Sequence, residues 1–354
     1  MKKLISFLLV LIFAFSGCQK EEPPEPPRTV GNCSFTMYDI YPEEGNVFCA
    51  YPELFENKIV YSAARHISDP QQGNNKVKIY DLTTDKETAL NISALYTFIT
   101  GDKIYYQSGR NICKASLDGE NSEVVFTAPD DKLFGFSKGG SDGRFIFWLS
   151  DSDYSNAEIF CYDAVKESYS SIAKPASIHN PYHNFKIKNG FACYAEASGG
   201  KYNIYSVKLS TGKSTLLCAA KRELSQYVYN GDTLVWSDGE GVHYFRNDTV
   251  YDIDNGKSKG DVDIYGNRYI FFFNDFQIYV YDIETEQVVF TTAPENYDEN
   301  KIYPEYCQWF SLDEESGRAC FLLWDRDLAL SLYKDWPYEE APELISVMDI
   351  KELE

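Results

Sequence analysis

Short apolar runs recur along the chain, and their spacing predicts an all-β protein. Each run holds five to eight mostly β-branched and aromatic residues and is bounded by Gly, Asp or Asn, which favour turns. The segment QIYVYDIETEQVVF (277–290) is typical, because an apolar strand, a polar turn and a second strand make an antiparallel hairpin. The same layout occurs in KVKIYDLTTDKETAL, NICKASLDGENSEVVF, EIFCYDAVKESYSSI and NIYSVKLSTGKSTLL.

The interval between these hairpins indicates a β-propeller. A further apolar strand precedes each hairpin, as in GDKIYYQS (101–108) and GNRYIFFFND (266–275). Aligned on the first apolar residue of each hairpin, the repeats lie about 42 residues apart on average, which suits a blade of four short strands. The aligned residues are Val77, Ile112, Ile159, Ile204, Val242, Ile278 and Leu330. We therefore predict a single β-propeller domain over residues 33–354 with seven blades, and with six or eight as the alternatives.

The first strand of the hairpin is apolar at nearly every position, as in Ile278-Tyr279-Val280-Tyr281. A strand covered on one face would alternate, whereas blades stacked around an axis bury both faces of their strands. A β-sandwich is the rival fold, but it would not produce seven units of matching layout. Residues 33–40 (CSFTMYDI) predict one more strand that closes the ring against the last blade. Either this strand or residues 342–350 would be the outermost strand there.

The N-terminus has the parts of an export signal. Lys2 and Lys3 precede an apolar core, Leu4 to Phe15, which is too short to span a bilayer. Ser16-Gly17-Cys18 follows and resembles the lipobox of bacterial lipoproteins. The resemblance implies that residues 1–17 are a signal peptide, and that Cys18 is acylated and anchors the mature chain to the outer membrane. Residues 18–32 (CQKEEPPEPPRTVGN) then form an acidic, proline-rich tether, since such a chain stays extended.

The sequence leaves the orientation of the anchored protein open. Residues 19–22 (QKEE) resemble the lysine-plus-acidic tag that sends some Bacteroidota lipoproteins to the cell surface. The alternative is the periplasmic face of the same membrane. Both places belong to the bacterial cell envelope, which is the localisation we expect.

Charge narrows the choice of partners. The chain has 54 acidic and 33 basic residues, and without Lys2 and Lys3 its net charge is −23. Phosphate backbones repel so acidic a protein, so we expect no nucleic-acid partner. We expect a monomeric propeller that meets the membrane only through Cys18.

Eight cysteines remain besides Cys18, and four of them lie in apolar runs such as GFACYAEA. Cysteine in such a run behaves as a small apolar side chain. No C-x-x-C pair occurs, which disfavours a structural zinc site. We predict one disulfide at most, between Cys307 and Cys320.

The repeats resemble those of a known family. Units such as DKIYYQSGRNICKASLDGENSEVVF look like the repeats of TolB-like bacterial propellers and of tyrosine-rich propeller lipoproteins, over residues 45–340. The resemblance implies the fold and leaves the ligand open. The Gly-His and Trp-Asp pairs of WD40 repeats are missing, and SDGRFIFW (141–148) lacks the spacing of the sialidase aspartate box.

Candidate binding residues fall in the loops expected at one end of the propeller. Loops between the second and third strands of a blade, and between blades, gather at that end and commonly carry function. Exposed aromatic side chains there stack on sugar rings or anchor protein partners. The candidates are Arg65, His66, Asp69, Arg110, Asp151, Asp153, His179, Tyr182, His183, Tyr297, Tyr303, Tyr306, Trp324, Asp325 and Arg326.

No catalytic motif emerges from these loops. His179 and His183 have a metal-ligand spacing, but Pro181 breaks the helix it would need. No G-x-S-x-G elbow is present. The Asp-x-Asp pairs in DSDYSNAE and YDIDNGK leave calcium as an alternative, but neither completes a calcium loop, so we expect no metal and no cofactor.

The sequence therefore favours a non-enzymatic recognition or scaffold module that binds an envelope protein or a glycan. The alternative is a hydrolase or lyase of glycans that uses carboxylates near the propeller axis.

Overall fold

Seven small antiparallel sheets form the fold, arranged as the blades of a β-propeller, as predicted. The structure, a computed structural model, describes residues 37–40, 48–64, 75–94, 96–139, 143–179, 185–253, 260–274, 277–292, 305–325 and 343–350. All the named elements of these residues are β-strands. Among them there is no helix that is both long and apolar enough to cross a membrane.

Successive strands run from the axis outward in each blade. After an N-terminal strand, β1 (Met37–Ile40), the first three blades each contain four strands. They are β2 (Phe48–Phe55), β3 (Lys58–Ala64), β4 (Lys76–Asp81) and β5 (Lys86–Ala89); β6 (Thr97–Thr100), β7 (Lys103–Ser108), β8 (Asn111–Ser116) and β9 (Glu123–Thr127); and β10 (Leu133–Gly139), β11 (Arg144–Ser150), β12 (Glu158–Asp163) and β13 (Ser168–Ala173).

The fourth blade is different because it has three regular strands. These are β14 (Phe191–Ser198), β15 (Lys201–Lys208) and β16 (Lys213–Ala220). The fifth and sixth blades are complete, with β17 (Leu224–Tyr229), β18 (Leu234–Asp238), β19 (Gly241–Arg246) and β20 (Thr249–Ile253), then β21 (Val262–Tyr265), β22 (Tyr269–Asn274), β23 (Gln277–Asp282) and β24 (Gln287–Thr291). The seventh contains β25 (Glu305–Asp313), β26 (Arg318–Asp325) and β27 (Glu343–Asp349).

Strand β1 completes the seventh blade and closes the ring. It pairs antiparallel with β27, in a register that joins Met37 to Met348 and Ile40 to Ile345. Both segments left open by the sequence therefore belong to this blade, with β27 third and β1 outermost. The prediction that an N-terminal strand closes the ring is confirmed.

Each of seven buried hydrophobic clusters fills the interface between two neighbouring blades. For example, Phe271 and Phe273 of the sixth blade pack with Phe310 and Phe321 of the seventh. Corresponding clusters lie at the other interfaces. This arrangement explains why the first strand of each hairpin, the third of its blade, is largely apolar, since neighbouring blades cover both of its faces.

The repeat alignment locates the third strand of six blades. Five of its anchors, Val77, Ile112, Ile159, Ile204 and Ile278, are at most 1% exposed, and Val242 is 2% exposed. The seventh anchor, Leu330, lies outside the described residues. The third strand of the last blade is β27, farther along the chain.

The predicted disulfide between Cys307 and Cys320 is wrong, because Cys320 is a buried cysteine that forms no disulfide. The two cysteines lie on paired strands, but Cys307 is opposite Leu323 and Cys320 is opposite Ser311. Three residues of strand separate Cys320 from Leu323, roughly 10 Å at about 3.4 Å per residue, which is beyond the reach of a disulfide. The Cys320 thiol instead donates a hydrogen bond to the carbonyl oxygen of Pro52, 3.7 Å away.

The two ends of the propeller are built differently. We call the loop face the end that carries the connections between blades and between second and third strands. The turn face is the opposite end, which carries the short hairpins from first to second and from third to fourth strands. Because β1 runs antiparallel to β27, Met37 lies toward the turn face, so the N-terminal chain enters the ring from that side.

We expect Gly260→Ala to lower the free energy of unfolding by about 1–3 kcal/mol through overpacking. An added Cβ at Gly260 would lie 2.6 Å from the Cβ of Phe273, close to the backbone, where the ring cannot rotate away. Urea unfolding measures the effect. Gly239→Ala is the control, because nothing lies within 4 Å of its added Cβ. Equal stability of the two variants would contradict the close packing of Gly260 against β22.

Candidate functional site

Residues 185–188 take the place of an inner strand in the fourth blade and bring two lysines to the axis. The sequence Phe185-Lys186-Ile187-Lys188 alternates apolar and basic side chains. Phe185 and Ile187 pack into the core between the third and fourth blades. An extended backbone places alternate side chains on opposite sides, so Lys186 and Lys188 point away from this core. Both lysines are nevertheless buried, with 8% and 9% of their side chains exposed.

Lys186 reaches from the fourth blade to the sixth, past the blade between them. Its Nζ lies 2.6 Å from Oδ1 of Asp261 and 3.6 Å from Oδ2 of Asp263. It also donates a hydrogen bond to the carbonyl oxygen of Val262, 2.8 Å away. The lysine thus bridges two blades that are not neighbours in the ring.

Lys188 extends this bridge to the seventh blade. Its Nζ lies 3.1 Å from Oδ1 of Asp263 and 3.2 Å from Oε1 of Glu314. A third hydrogen bond, of 3.1 Å, goes to the carbonyl oxygen of Ile264. Together the two lysines and their carboxylates form an axial charge cluster, defined as Lys186, Lys188, Asp261, Asp263 and Glu314.

The lysines of the axial charge cluster remain protonated. Burial alone would lower the pKa of Lys186, but Asp261 and Asp263 outweigh burial and raise it. In the same way, Asp263 and Glu314 raise the pKa of Lys188 against the effect of burial. A lysine that acts as a general base needs a lowered pKa, so these two side chains are poorly suited to that role.

The first and seventh blades complete the turn-face end of the axis. The Ser311 hydroxyl donates to Oε2 of the buried Glu53 at 2.9 Å, and the backbone N–H of Glu56 donates to Asp313 at 2.9 Å. Between these residues and the lysines lies a cavity of about 290 Å³. We call it the axial cavity. It is lined by Glu53, Leu54, Phe55, Phe98, Ile99, Lys186, Ile187, Lys188, Asn189, Asp263, Leu312, Asp313, Glu314 and Glu315.

The predicted candidates did not include this charge cluster. The local signal is present, since FKIK (185–188) and DVDI (261–264) both alternate charged and apolar residues. Such alternation also fits a strand with one solvated face, and the two segments are about 75 residues apart in the chain. Only the ring brings them to the same place.

On the loop face, two predicted residues line one depression of about 440 Å³. Asp153 comes from the loop between β11 and β12, and His179 from the connection between the third and fourth blades. Nε2 of His179 lies 3.2 Å from the carbonyl oxygen of Leu224, and its ring packs against Tyr202. The residues around this loop-face depression are Asp153, Tyr154, Ser177, Ile178, His179, Ala197 and Glu223.

Local hydrogen bonds fix the acidic side of the loop-face depression. The Ser155 hydroxyl and backbone N–H both donate to Oδ1 of Asp153, at 2.6 and 3.0 Å, and these bonds lower the pKa of Asp153. The carboxylate is therefore ionised at neutral pH. Tyr154 sits beside it with a left-handed φ of 63° and contacts Trp148.

Two other predicted residues hold the loops in place. Arg110 donates hydrogen bonds to the carbonyl oxygens of Ala128 and Lys132, at 3.2 and 2.6 Å, and also to that of Pro129. Asp151 accepts hydrogen bonds from Asn156 and Lys132, which lower its pKa. These contacts secure the chain around the third blade.

The remaining candidates stay predictions. Tyr306 lies in β25, and Trp324 and Asp325 lie in β26, where Tyr306 pairs with Trp324 at the loop-face end of the strands. The sequence predicts loop positions for all three. Outside the described residues lie Arg65, His66, Asp69, Tyr182, His183, Tyr297, Tyr303 and Arg326. Within the described ranges, no three His, Cys, Asp or Glu side chains form a group that could hold a metal ion.

The fold and these two features define a seven-bladed β-propeller with a charged axis and a depression on its loop face. No family model matches the chain. No curated protein matches it either. The comparison with solved structures, by contrast, finds matches, among them a β-propeller domain.

The chain is similar to an oligogalacturonate lyase from Vibrio parahaemolyticus, with a TM-score of 0.59 and 9% identity over 91% of this chain and 96% of that one. It is also similar to the propeller domain of the Trilobed protease from Pyrococcus furiosus, with a TM-score of 0.54 and 14% identity over 78% and 91% of the two chains. A prolyl endopeptidase matches with a TM-score of 0.55 and 11% identity, over 81% of this chain and 48% of its own. At these identities the likeness establishes the propeller fold.

Proposed function

We propose that this chain is a lipid-anchored protein of the bacterial cell envelope whose propeller recognises a protein or a glycan at its loop face. The loop-face depression carries the proposal. It combines an aromatic ring, two carboxylates and a histidine on an open surface, from Tyr154, Asp153, Glu223 and His179. Aromatic faces and fixed polar groups of this kind recognise sugars and protein side chains.

The direction of the N-terminal chain supports display of the loop face. The tether of residues 18–32 leads to β1, which enters the ring at the turn face. A membrane anchor at Cys18 would thus leave the loop face directed toward partners. The TolB-like and tyrosine-rich lipoprotein character, and a place on the periplasmic or outer surface, are parts of the same proposal. It includes a monomeric propeller, no nucleic-acid partner and no cofactor.

A glycan-active enzyme is the second candidate, and the axial charge cluster is the observation in its favour. Carboxylates do gather at the axis, as such an enzyme would need. Lys186 and Lys188, however, lie between these carboxylates, and their raised pKa values keep them protonated. Binding at the loop face therefore remains the better proposal. The enzyme would become the better proposal if the purified protein cleaved a polyuronate or a neutral glycan and Asp263→Asn abolished this activity.

A crosslinked pull-down from native membranes tests the leading proposal. We expect the anchored protein to recover a partner that a Cys18→Ala form does not, because the acyl chains confine the protein to the membrane. Recovery of no partner with either form would contradict a scaffold role and would direct attention to glycan binding.

We further expect the double variant Asp153→Asn/Glu223→Gln to recover the partner, or bind the glycan, about tenfold less well, since two contacts of the depression lose their charge. The matched control is Lys166→Ala, in a hairpin of the turn face. Equal binding by the variant and the wild type would exclude the loop-face depression as the binding surface.

A further inference from the structure

The axial cavity lies at the opposite end of the propeller from the loop-face depression, so its contents are independent of the proposed function. Its volume of about 290 Å³ is at the lower end of the range for small-molecule sites. It would hold a small molecule or one long side chain. The charges and the apolar surface of the cavity wall indicate which class of ligand it would bind.

Acceptor groups of the protein already surround both lysines of the wall. Lys186 is occupied by Asp261, Asp263 and the carbonyl oxygen of Val262. Lys188 is occupied by Asp263, Glu314 and the carbonyl oxygen of Ile264. An ammonium group has three donors. An anionic ligand would have to break a buried ion pair, which is costly.

Carboxylates outnumber the lysines and continue to the mouth of the axial cavity. Glu53, Asp263, Asp313, Glu314 and Glu315 all line it. The Asp313 carboxylate is already held by the backbone N–H groups of Glu56, Glu315 and Ser316, at 2.9, 3.3 and 3.2 Å. Glu315 is exposed at the mouth, and Glu314 is partly exposed beside it. The field within the cavity therefore favours positive charge.

Part of the wall is apolar. Leu54, Ile99 and Leu312 line the axial cavity together with two phenylalanines. These side chains bind an aliphatic segment by removing it from water. A hydrated inorganic cation would gain nothing from them.

We propose that the axial cavity binds an organic cation, an ammonium or guanidinium group on a short aliphatic stem. The stem lies against the apolar wall, and the charged group is held by carboxylates of the lining, among them Glu314 and Glu315. The cation is either a free amine or the Lys or Arg side chain of a protein partner, since the two share this chemistry.

Titration calorimetry with the full-length protein in detergent tests the proposal, with agmatine as the probe. We expect agmatine to bind at least tenfold more tightly than 1-pentanol, a neutral molecule of similar length. Glu315→Gln weakens agmatine binding at least threefold, and this exposed position leaves folding intact. Asp248→Asn, at an exposed hairpin of the fifth blade that lines neither site, leaves agmatine binding unchanged. Equal affinity for agmatine and pentanol, no effect of Glu315→Gln, or no binding of agmatine would each overturn the proposal.

A second titration, with the peptide acetyl-Gly-Gly-Arg-Gly-Gly-amide, distinguishes the two sources of the cation. Displacement of agmatine by this peptide identifies a side chain of a partner as the ligand class. Binding of agmatine without displacement identifies a free amine. Whether the double variant Asp153→Asn/Glu223→Gln loses its partner or keeps it, the agmatine titrations stay the same, because the two sites lie at opposite ends of the propeller.

Discussion

Replacing Lys186 by Met is expected to lower the free energy of unfolding by about 3–5 kcal/mol, because it leaves buried carboxylates without a counter-charge. Asp261 and Asp263 are 6% and 1% exposed, so water would stabilise their charges only poorly once the lysine is lost. The variant also removes the hydrogen bond to Val262 in the inner strand of the sixth blade. Urea unfolding followed by tyrosine and tryptophan fluorescence measures the change.

Two further variants show whether this loss comes from the axial charge cluster. Lys166→Met removes a lysine that is 72% exposed and pairs with Asp163, and it should cost no more than about 1 kcal/mol. The double variant Lys186→Met/Asp261→Asn should recover part of the loss, since it removes one of the uncompensated charges. A Lys186→Met protein as stable as the wild type would mean that the lysine does not bridge the blades.

Removing β1 is expected to open the ring and to expose a strand edge. The strand contributes four cross-strand pairs with β27, which correspond to roughly 1–4 kcal/mol at about 0.2–1 kcal/mol each. A chain that begins at residue 41 should unfold at a lower urea concentration than a chain that begins at residue 33. It should also self-associate in size-exclusion chromatography, because the uncovered edge of β27 can pair with another chain.

The chain that begins at residue 33 is the matched control, since it lacks the signal and the tether but keeps β1. We expect it to remain monomeric. If the two truncated chains have the same stability and the same size, then β1 does not close the ring in solution.

The fold could be predicted because each repeat carries its own copy of the signal. Ile112, Ile159 and Ile278 occupy the same place on the third strand of their blades, and turn residues separate the strands each time. The closure of the ring was predicted only in part. Residues 33–40 read as a strand, but local sequence does not say whether β1 or β27 is outermost, because that depends on pairing between the two ends of the chain.

Charges at the axis show the limit of prediction from the sequence. Lys186 and Asp261 each alternate with apolar neighbours, a pattern that also describes a solvated strand. They form a site because the ring brings Lys186 of the fourth blade into contact with Asp261 of the sixth, past the fifth blade. The positions of loop residues were easier to predict, since Asp153 and His179 lie at the predicted end of the propeller and line one depression. The Cys307–Cys320 prediction was wrong because it ignored strand register.

Crosslinking with mass spectrometry on the anchored protein in intact cells tests most directly whether partners bind at the loop face. Native lysines report on both ends of the propeller: Lys132, Lys174 and Lys221 lie at the loop face, and Lys86, Lys166 and Lys213 lie at the turn face. Recognition at the loop face predicts that crosslinks to a partner concentrate on the first set. Crosslinks confined to the second set would contradict it.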